Sequence, residues 1–148
     1  MRGFGDQNKI KKNHKKNDKK TQPSKEQIIS KAFQFHSEGN ISEAAKYYQY
    51  FINQGFKDER VFSNHGSILQ NIGKLQEAEK SYRKAIEINP DFAAAYSNLG
   101  NVMKDLGKLQ EAEKSYRKAI EINPNFADAY SNLGIVLDNL GNQKEAEI

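Results

Sequence analysis

The sequence contains no cysteine, which excludes a disulfide framework, a thiolate metal site and a cysteine nucleophile. It also has no apolar run that approaches the roughly 20 residues of a membrane-spanning helix. The first 24 residues are polar almost throughout and lack the apolar core of a secretory signal. These absences predict a cytoplasmic protein.

The basic residues are distributed unevenly. Residues 1–24 hold eight Lys and Arg against two Asp, a net charge of +6, while the rest of the chain holds 15 basic and 17 acidic residues, a net charge of −2. A segment with so few apolar side chains cannot offset its ordering entropy, so we predict a disordered, Lys-rich arm over residues 1–24. Its charge would attract nucleic acid or an anionic surface. The arm lacks interleaved aromatic residues and enrichment in Arg, which favours a solubilising tail.

The remaining chain repeats itself with a step of 34 residues. The segment GKLQEAEKSYRKAIEINP occurs unchanged at 73–90 and at 107–124. Apolar residues with helical spacing precede and follow Gly107; they are Tyr96, Leu99, Met103 and Leu106, then Leu109, Ala112, Tyr116, Ala119 and Ile120. Gly107 ends the first predicted helix and Pro124 the second. Each unit is therefore predicted to be an αα-hairpin.

The repeats resemble the tetratricopeptide repeat (TPR) family. In the unit 93–126, the positions at which the family pattern is demanding hold Tyr96, Leu99, Gly100, Met103, Gly107, Ala112, Tyr116, Ala119 and Pro124. The resemblance implies an all-α, right-handed superhelical solenoid of TPR αα-hairpins, which bury their apolar faces by stacking. It covers a divergent repeat 25–58, the repeats 59–92 and 93–126, and an incomplete repeat 127–148. In the second of these, His65 stands where the pattern has Leu.

The incomplete repeat leads to a further expectation. A last helix that starts near Gln143 would have only about one and a half turns. Leu133, Leu137 and Leu140 would then be partly uncovered, whereas solenoids normally protect such a surface with a capping helix. We therefore expect this chain to be a fragment, the N-terminal part of something longer.

The TPR resemblance places a ligand in a concave groove lined by the first helix of each unit. Carried onto this sequence, the groove is polar and rich in amides. The main candidate groove residues are Asn64, Asn98, Asn132, Ser63, Ser97, Ser131, Asn71, Asn101, Lys104, Asp105 and Asn139. The same positions also include Arg60, Ser67, Gln70, Ala94, Asp128, Ile135 and Asp138.

Asn64, Asn98 and Asn132 stand one period apart and should form a ladder along the groove, here called the Asn ladder. A primary amide has two donors and an acceptor, which suit the backbone of an extended peptide. The ladder is similar to that of the TPR arrays of O-linked N-acetylglucosamine transferases, which implies binding to peptide backbone largely independent of sequence. Asn is common at this place in TPR units, and local packing and solvation explain it equally well.

Chaperone-binding TPR domains grip a C-terminal carboxylate with Lys and Asn residues of successive first helices. The corresponding places here hold Ser63, Ser97 and Ser131, and only Arg60 and Lys104 bring positive charge to the groove. Without converging cations a carboxylate would be poorly stabilised. We therefore do not expect a clamp for chaperone tails.

The residues in hand do not predict a catalytic site. His14, His36 and His65 are not spaced as metal ligands, and none has an evident nucleophile partner. The glycines are accounted for by helix ends or close helix contacts, so we find no phosphate-binding loop. We predict no cofactor, no metal and no enzymatic activity for these residues.

Three functions stay open on the sequence alone. The leading one is a protein–protein interaction module that binds a peptide segment of a partner in its groove through the Asn ladder. The second is the substrate-recruiting front of a longer enzyme, because arrays resembling this one, with the phrases AYSNLG and KAIEINP, often precede glycosyltransferase-like or sulfotransferase-like domains. The third is an adaptor that binds nucleic acid or an anionic surface through residues 1–24.

Overall fold

The computed structural model describes residues 21–146. Within that range the chain forms seven α-helices and no strand, so the predicted all-α solenoid of αα-hairpins is confirmed. Residues 1–20, most of the predicted arm, and residues 147–148 lie outside the described range. The helices are α1 (Lys25–Ser37), α2 (Ile41–Asn53), α3 (Glu59–Asn71), α4 (Leu75–Ile88), α5 (Ala93–Asp105), α6 (Leu109–Ile122) and α7 (Ala127–Ala146).

Glycine makes the turn between the two helices of a hairpin. Gly73 and Gly107 have φ angles of 80° and 75°, a left-handed conformation that glycine adopts at little steric cost. The N–H of Gly107 donates to the carbonyl oxygen of Lys104 at 2.9 Å, which helps to close the end of α5. This tight turn returns α6 antiparallel along α5.

The order of contacts between helices defines an inner and an outer side of the array. Helix α3 contacts α5, and α5 contacts α7, whereas the second helices α2, α4 and α6 make no comparable contact with one another. The first helices of successive units therefore lie closer together than the second helices do. It follows that the array curves with α3, α5 and α7 on its inner side, which we call the inner wall.

A tyrosine of the second helix fills each complete hairpin. Tyr48, Tyr82 and Tyr116 are all fully buried. A Cβ atom built on Gly100 would lie 2.7 Å from the ring of Tyr116, which is closer than real side chains approach. The ring can therefore take this place only because residue 100 has no side chain.

Helix α7 differs from the prediction for the incomplete repeat. The expectation of a separate last helix that starts near Gln143 is wrong, because α7 continues without interruption to Ala146. Gly141 does not adopt the positive φ of Gly73 and Gly107.

The leucines of α7 are only partly uncovered, and not to the same degree. Leu133 is buried, contrary to the expectation that it would be partly uncovered, whereas Leu140 is half-buried against the same core, as expected. Leu137 is exposed, as predicted. The packing of α6 against α7 accounts for the difference, because it covers one side of α7 and leaves the other side free.

Candidate functional site

The three residues of the predicted Asn ladder stand on the helices of the inner wall. Asn64, Asn98 and Asn132 are each the sixth residue of α3, α5 and α7, and the side chain of each is half-buried. The 34-residue period therefore places one amide at the same level of each of three successive first helices.

The three amides differ in their hydrogen bonding. The Nδ2 of Asn64 donates to the hydroxyl oxygen of Tyr48 at 3.2 Å, so one of its donors is already used. Among the described residues, the side-chain amides of Asn98 and Asn132 make no hydrogen bond. These two amides are thus half-buried without a protein partner in the described part of the chain.

The serines of the predicted groove are a correction to the sequence analysis. Ser63 and Ser97 are buried, at 5% and 3% exposure, and cannot offer a hydroxyl to a ligand. Ser131, the equivalent residue of α7, is exposed. Around Ser97 the second helix of the hairpin and the next unit cover this position, and the described residues hold neither of these elements around Ser131.

Buried tyrosines of the second helices form hydrogen bonds with side chains of the inner wall. The sequence analysis missed this feature. The Tyr116 hydroxyl donates to Asn101 Oδ1 at 2.6 Å, and the Tyr82 hydroxyl donates to Gln70 Oε1 at 3.3 Å. Burial raises the pKa of Tyr82 and of Tyr116 to about 12. Both hydroxyls therefore stay protonated and fix the side chains of the wall. The sequence offers one signal for these two hydrogen bonds, which is that a tyrosine of the second helix follows the polar residue by 12 to 15 positions.

The remaining predicted groove residues carry few unpaired cations. Arg60 is bound to Asp58, with Nη2 2.8 Å from Oδ2, and its guanidinium lies 5.2 Å from the centroid of the Phe33 ring. Burial acts to raise the pKa of Asp58, but the hydrogen bonds and charge of Arg60 and two backbone N–H groups outweigh it and lower that pKa. Lys104 is half-buried and makes no ion pair with any described residue.

Acidic residues surround the C-terminal half of the groove. Asp105, Asp128 and Asp138 stand at groove positions of α5 and α7 and are exposed. Asp105 Oδ2 accepts a hydrogen bond from Gln70 Nε2 at 3.2 Å. The single positive charge of Lys104 balances only one of these three carboxylates. This half of the groove therefore favours neutral or positive ligands. Asn71 and Asn139 are exposed at the ends of the wall.

The two histidines in the described range have packing roles. His36 Nδ1 lies 2.8 Å from the Tyr48 hydroxyl inside the first hairpin. His65 occupies the position of Leu99 and Leu133, and its Nδ1 is buried without a hydrogen-bond partner. Burial lowers the pKa of His65, with the charge of Glu77 opposing the shift in part. The ring of His65 is thus kept neutral at a half-buried position.

The described residues 21–146 contain no group of three or more His, Asp or Glu side chains arranged to hold a metal ion. None of the helices in this range is long and apolar enough to cross a membrane.

Comparison with known proteins places the fold among helical repeats. Residues 66–107 and 104–141 each match the family model described as TPR repeat. No curated protein sequence matches the chain.

Several solved structures are similar to this chain. The first TPR domain of Spaghetti (RPAP3), bound to the HSP90 peptide SRMEEVD, has 25% identity and a TM-score of 0.72, covering 77% of this chain and 90% of that one. MamA has 26% identity and a TM-score of 0.75, with 83% and 72% covered. YrrB, described as a TPR protein with an unusual peptide-binding site, has 20% identity and a TM-score of 0.72, with 83% and 63% covered. The likeness to YrrB concerns the fold alone.

Proposed function

Because this chain belongs to the tetratricopeptide repeat family, we propose that it is a protein–protein interaction module whose inner wall binds an extended peptide segment of a partner. The observation that carries the proposal is the state of Asn98 and Asn132. These two amides stand at the same position of successive first helices, are half-buried, and have no hydrogen-bond partner among the described residues.

A peptide backbone suits these amides chemically. Each peptide unit has one N–H donor and one carbonyl acceptor, and a primary amide can pair with both. Because Asn98 and Asn132 are already partly withdrawn from water, they lose less hydration on binding than exposed amides do. A hydrogen bond in such a place contributes about 0.5–1.5 kcal/mol.

Asn64 has a different role in the proposed ladder. Its amide nitrogen donates to Tyr48, so its oxygen remains as the acceptor for a ligand N–H. The Tyr48 contact also holds the Asn64 side chain in one orientation. We therefore assign backbone binding mainly to Asn98 and Asn132, with Asn64 as a fixed acceptor at the other end.

The charges of the groove point to the class of peptide. The Spaghetti domain binds an HSP90 peptide that ends in EEVD, whereas the groove of this chain has Arg60 neutralised by Asp58. Asp105, Asp128 and Asp138 outnumber Lys104 in its C-terminal half. An acidic tail would be repelled there, so the proposed ligand is an uncharged or basic segment.

The test begins with the selection, from a displayed peptide library, of peptides that bind the chain. The affinity of the selected peptides for the chain is then measured by fluorescence anisotropy. Replacing both Asn98 and Asn132 by Ala should weaken binding by about tenfold or more while helicity and melting temperature stay nearly unchanged. The matched control replaces Gln76 and Gln110, exposed amides one period apart on the second helices, and should bind like the parent. Equal loss in both variants, or tight binding of SRMEEVD, would refute the proposal.

The resemblance to repeats that precede glycosyltransferase-like or sulfotransferase-like domains supports a second proposal, in which this groove recruits the substrate of such a domain. The phrases AYSNLG and KAIEINP are its support. The coding sequence downstream of Ile148 decides it, since a catalytic domain would carry motifs that these residues lack. An immediate stop codon would eliminate it.

The proposal that residues 1–24 bind a polyanion rests on their net charge of +6. Such binding should fall steeply with salt concentration and disappear when residues 1–24 are deleted. Binding that survives the deletion would assign it to the repeats instead.

A further inference from the structure

Two asparagines of the inner wall are hydrogen-bonded to buried tyrosines of the second helices, but through different atoms. Asn64 on α3 uses its Nδ2, which donates to the Tyr48 hydroxyl at 3.2 Å. Asn101 on α5 uses its Oδ1, which accepts from the Tyr116 hydroxyl at 2.6 Å. A primary amide has its donors on nitrogen and its acceptor on oxygen, so the atom that meets the tyrosine decides which atom is left for a ligand.

The atoms left over are Oδ1 of Asn64 and Nδ2 of Asn101, and neither makes a hydrogen bond to another side chain in the described range. Within residues 21–146, the one side-chain nitrogen or oxygen that is both buried and unpaired is Nδ1 of His65. The two amide atoms are therefore in reach of solvent, although both asparagines are half-buried. Asn101 follows Asn98 by three residues and so lies on the same side of α5.

The tyrosines hold the two amides in opposite senses. Tyr48 and Tyr116 are fully buried, and the ring of Tyr116 is confined by the backbone of Gly100. If the Asn101 amide were reversed, the proton of the Tyr116 hydroxyl would have no acceptor among the described residues. The Tyr48 hydroxyl lies 2.8 Å from Nδ1 of His36, so it can donate there while it accepts from Asn64.

Given the peptide-binding function proposed above, on which this inference rests, we propose that Asn101 is a further ligand-binding residue and that Tyr116 positions it. Nδ2 of Asn101 donates to a backbone carbonyl of the bound segment, and Oδ1 of Asn64 accepts from a backbone N–H. The wall thus reads the peptide backbone with an acceptor on α3 and a donor on α5. The ligand is an extended segment with a backbone N–H against α3, which excludes proline at that residue.

Gln70 provides the comparison, because it is an amide of the wall with no atom left over. Its Oε1 accepts from the Tyr82 hydroxyl at 3.3 Å, and its Nε2 donates to Oδ2 of Asp105 at 3.2 Å. Both polar atoms of Gln70 already have a protein partner. Tyr82 stands one period before Tyr116 and is therefore its matched control.

Substitution of each asparagine by the isosteric aspartate tests which atom faces the ligand. In Asn101→Asp the Tyr116 hydroxyl still has an acceptor, but an oxygen replaces the donor that faces the ligand carbonyl. Fluorescence anisotropy with the selected peptides should show binding weakened by about tenfold or more. Asn64→Asp keeps an acceptor towards the ligand, with the Tyr48 hydroxyl turned to donate to the carboxylate, and should stay within about threefold of the parent.

The two variants control for each other, because both add one negative charge to the same wall. Equal losses of affinity, or a larger loss in Asn64→Asp, would overturn the assignment of donor and acceptor. The combined change of Asn98 and Asn132 to Ala separates this failure from that of the proposed function. If that variant loses affinity while the two Asp variants do not differ, the wall binds peptide without the proposed polarity.

The peptide offers a test of the acceptor on α3. Methylation of the backbone nitrogens, one residue at a time, removes each N–H in turn. At one position the loss of affinity seen with the parent should disappear with Asn64→Ala, which has no side-chain acceptor. Losses that are the same for both proteins at every position would overturn the assignment of Asn64.

Tyr116→Phe tests the positioning role, because it removes the hydroxyl and keeps the ring. It should weaken binding by about threefold and should have no further effect in a chain that carries Asn101→Ala, since Tyr116 acts on the ligand only through Asn101. Tyr82→Phe should bind like the parent. An effect of Tyr116→Phe that is the same with and without Asn101, or that Tyr82→Phe reproduces, would mean a general structural role and would overturn the proposal.

Discussion

The six residues AYSNLG occur twice, at 95–100 in α5 and at 129–134 in α7, and the two copies are covered differently. In both copies the alanine and the leucine are buried, whereas the tyrosine, serine and glycine are more covered in α5 than in α7. The equivalent pairs are Ala95 with Ala129, Leu99 with Leu133, Tyr96 with Tyr130, Ser97 with Ser131 and Gly100 with Gly134. The sequence is the same, so the neighbours make the difference.

The comparison separates the two sources of burial for a first helix. The side of the helix that carries the alanine and the leucine faces the preceding unit. Both α5 and α7 have such a unit. The glycine of α5 faces the second helix of its own hairpin, with Tyr116 over Gly100, and the described residues hold no such helix against α7. A first helix thus receives part of its stabilisation from each side, as expected for a repeat protein.

The largest expected difference concerns the tyrosine that closes a hairpin. Tyr116→Ala removes a fully buried ring and should cost about 3–5 kcal/mol of unfolding free energy. Tyr130→Ala, at an exposed position, should stay within about 0.5 kcal/mol of the parent. Urea unfolding at low protein concentration measures both. Similar losses of unfolding free energy in the two variants would mean that Tyr116 and Tyr130 do not differ in burial as described.

A smaller difference should separate the glycines of the two copies. Gly100→Leu would force a side chain into the ring of Tyr116, 2.7 Å from the new Cβ, and should destabilise the chain by roughly 1–3 kcal/mol. Gly134→Leu meets open space and should be neutral or stabilising by up to about 1 kcal/mol. Thermal unfolding distinguishes them, and destabilisation by both would contradict the comparison.

The smallest effect is expected where the second repeat departs from the pattern. His65→Leu restores the residue found at Leu99 and removes a buried nitrogen without a partner, so it should stabilise the chain by about 1–2 kcal/mol at neutral pH. Unfolding free energies of both proteins at neutral pH give the comparison.

The same substitution predicts a change in pH dependence. The pKa of His65 is lowered by burial from its ordinary value of 6.5, so below pH 6.5 the unfolded chain takes up a proton that the native chain does not. The parent should therefore lose stability as the pH falls from 6.5 towards the lowered pKa, and His65→Leu should lose less. Identical pH profiles would show that the ring is not kept neutral by burial.

The sequence predicts the repeats well because they depend on local patterns. Stripes such as Tyr96, Leu99 and Met103 define a helix and its apolar side without knowledge of any neighbour. The turn at Gly107 was also predictable from glycine between two such stripes. These features need only the chain within one unit.

The features that were not predicted depend on contacts between elements. Gly141 carries the same local signal as Gly107, but it lies inside α7, and no second helix packs against α7 among the described residues. Ser97 is buried by neighbouring helices, although its sequence position suggested the open groove. The hydrogen bond between Asn64 and Tyr48 joins two units, and no local pattern announces it.

The most direct test of the central claim, that peptide backbone pairs with the inner wall, is nuclear magnetic resonance of the side-chain amides. A selected peptide is titrated into ¹⁵N-labelled protein, with the amide signals of Asn98, Asn132 and, as a control on α2, Asn53 assigned by substitution. We predict that the signals of Asn98 and Asn132 shift with the peptide while that of Asn53 does not. A peptide that binds without moving Asn98 or Asn132 would contradict the account.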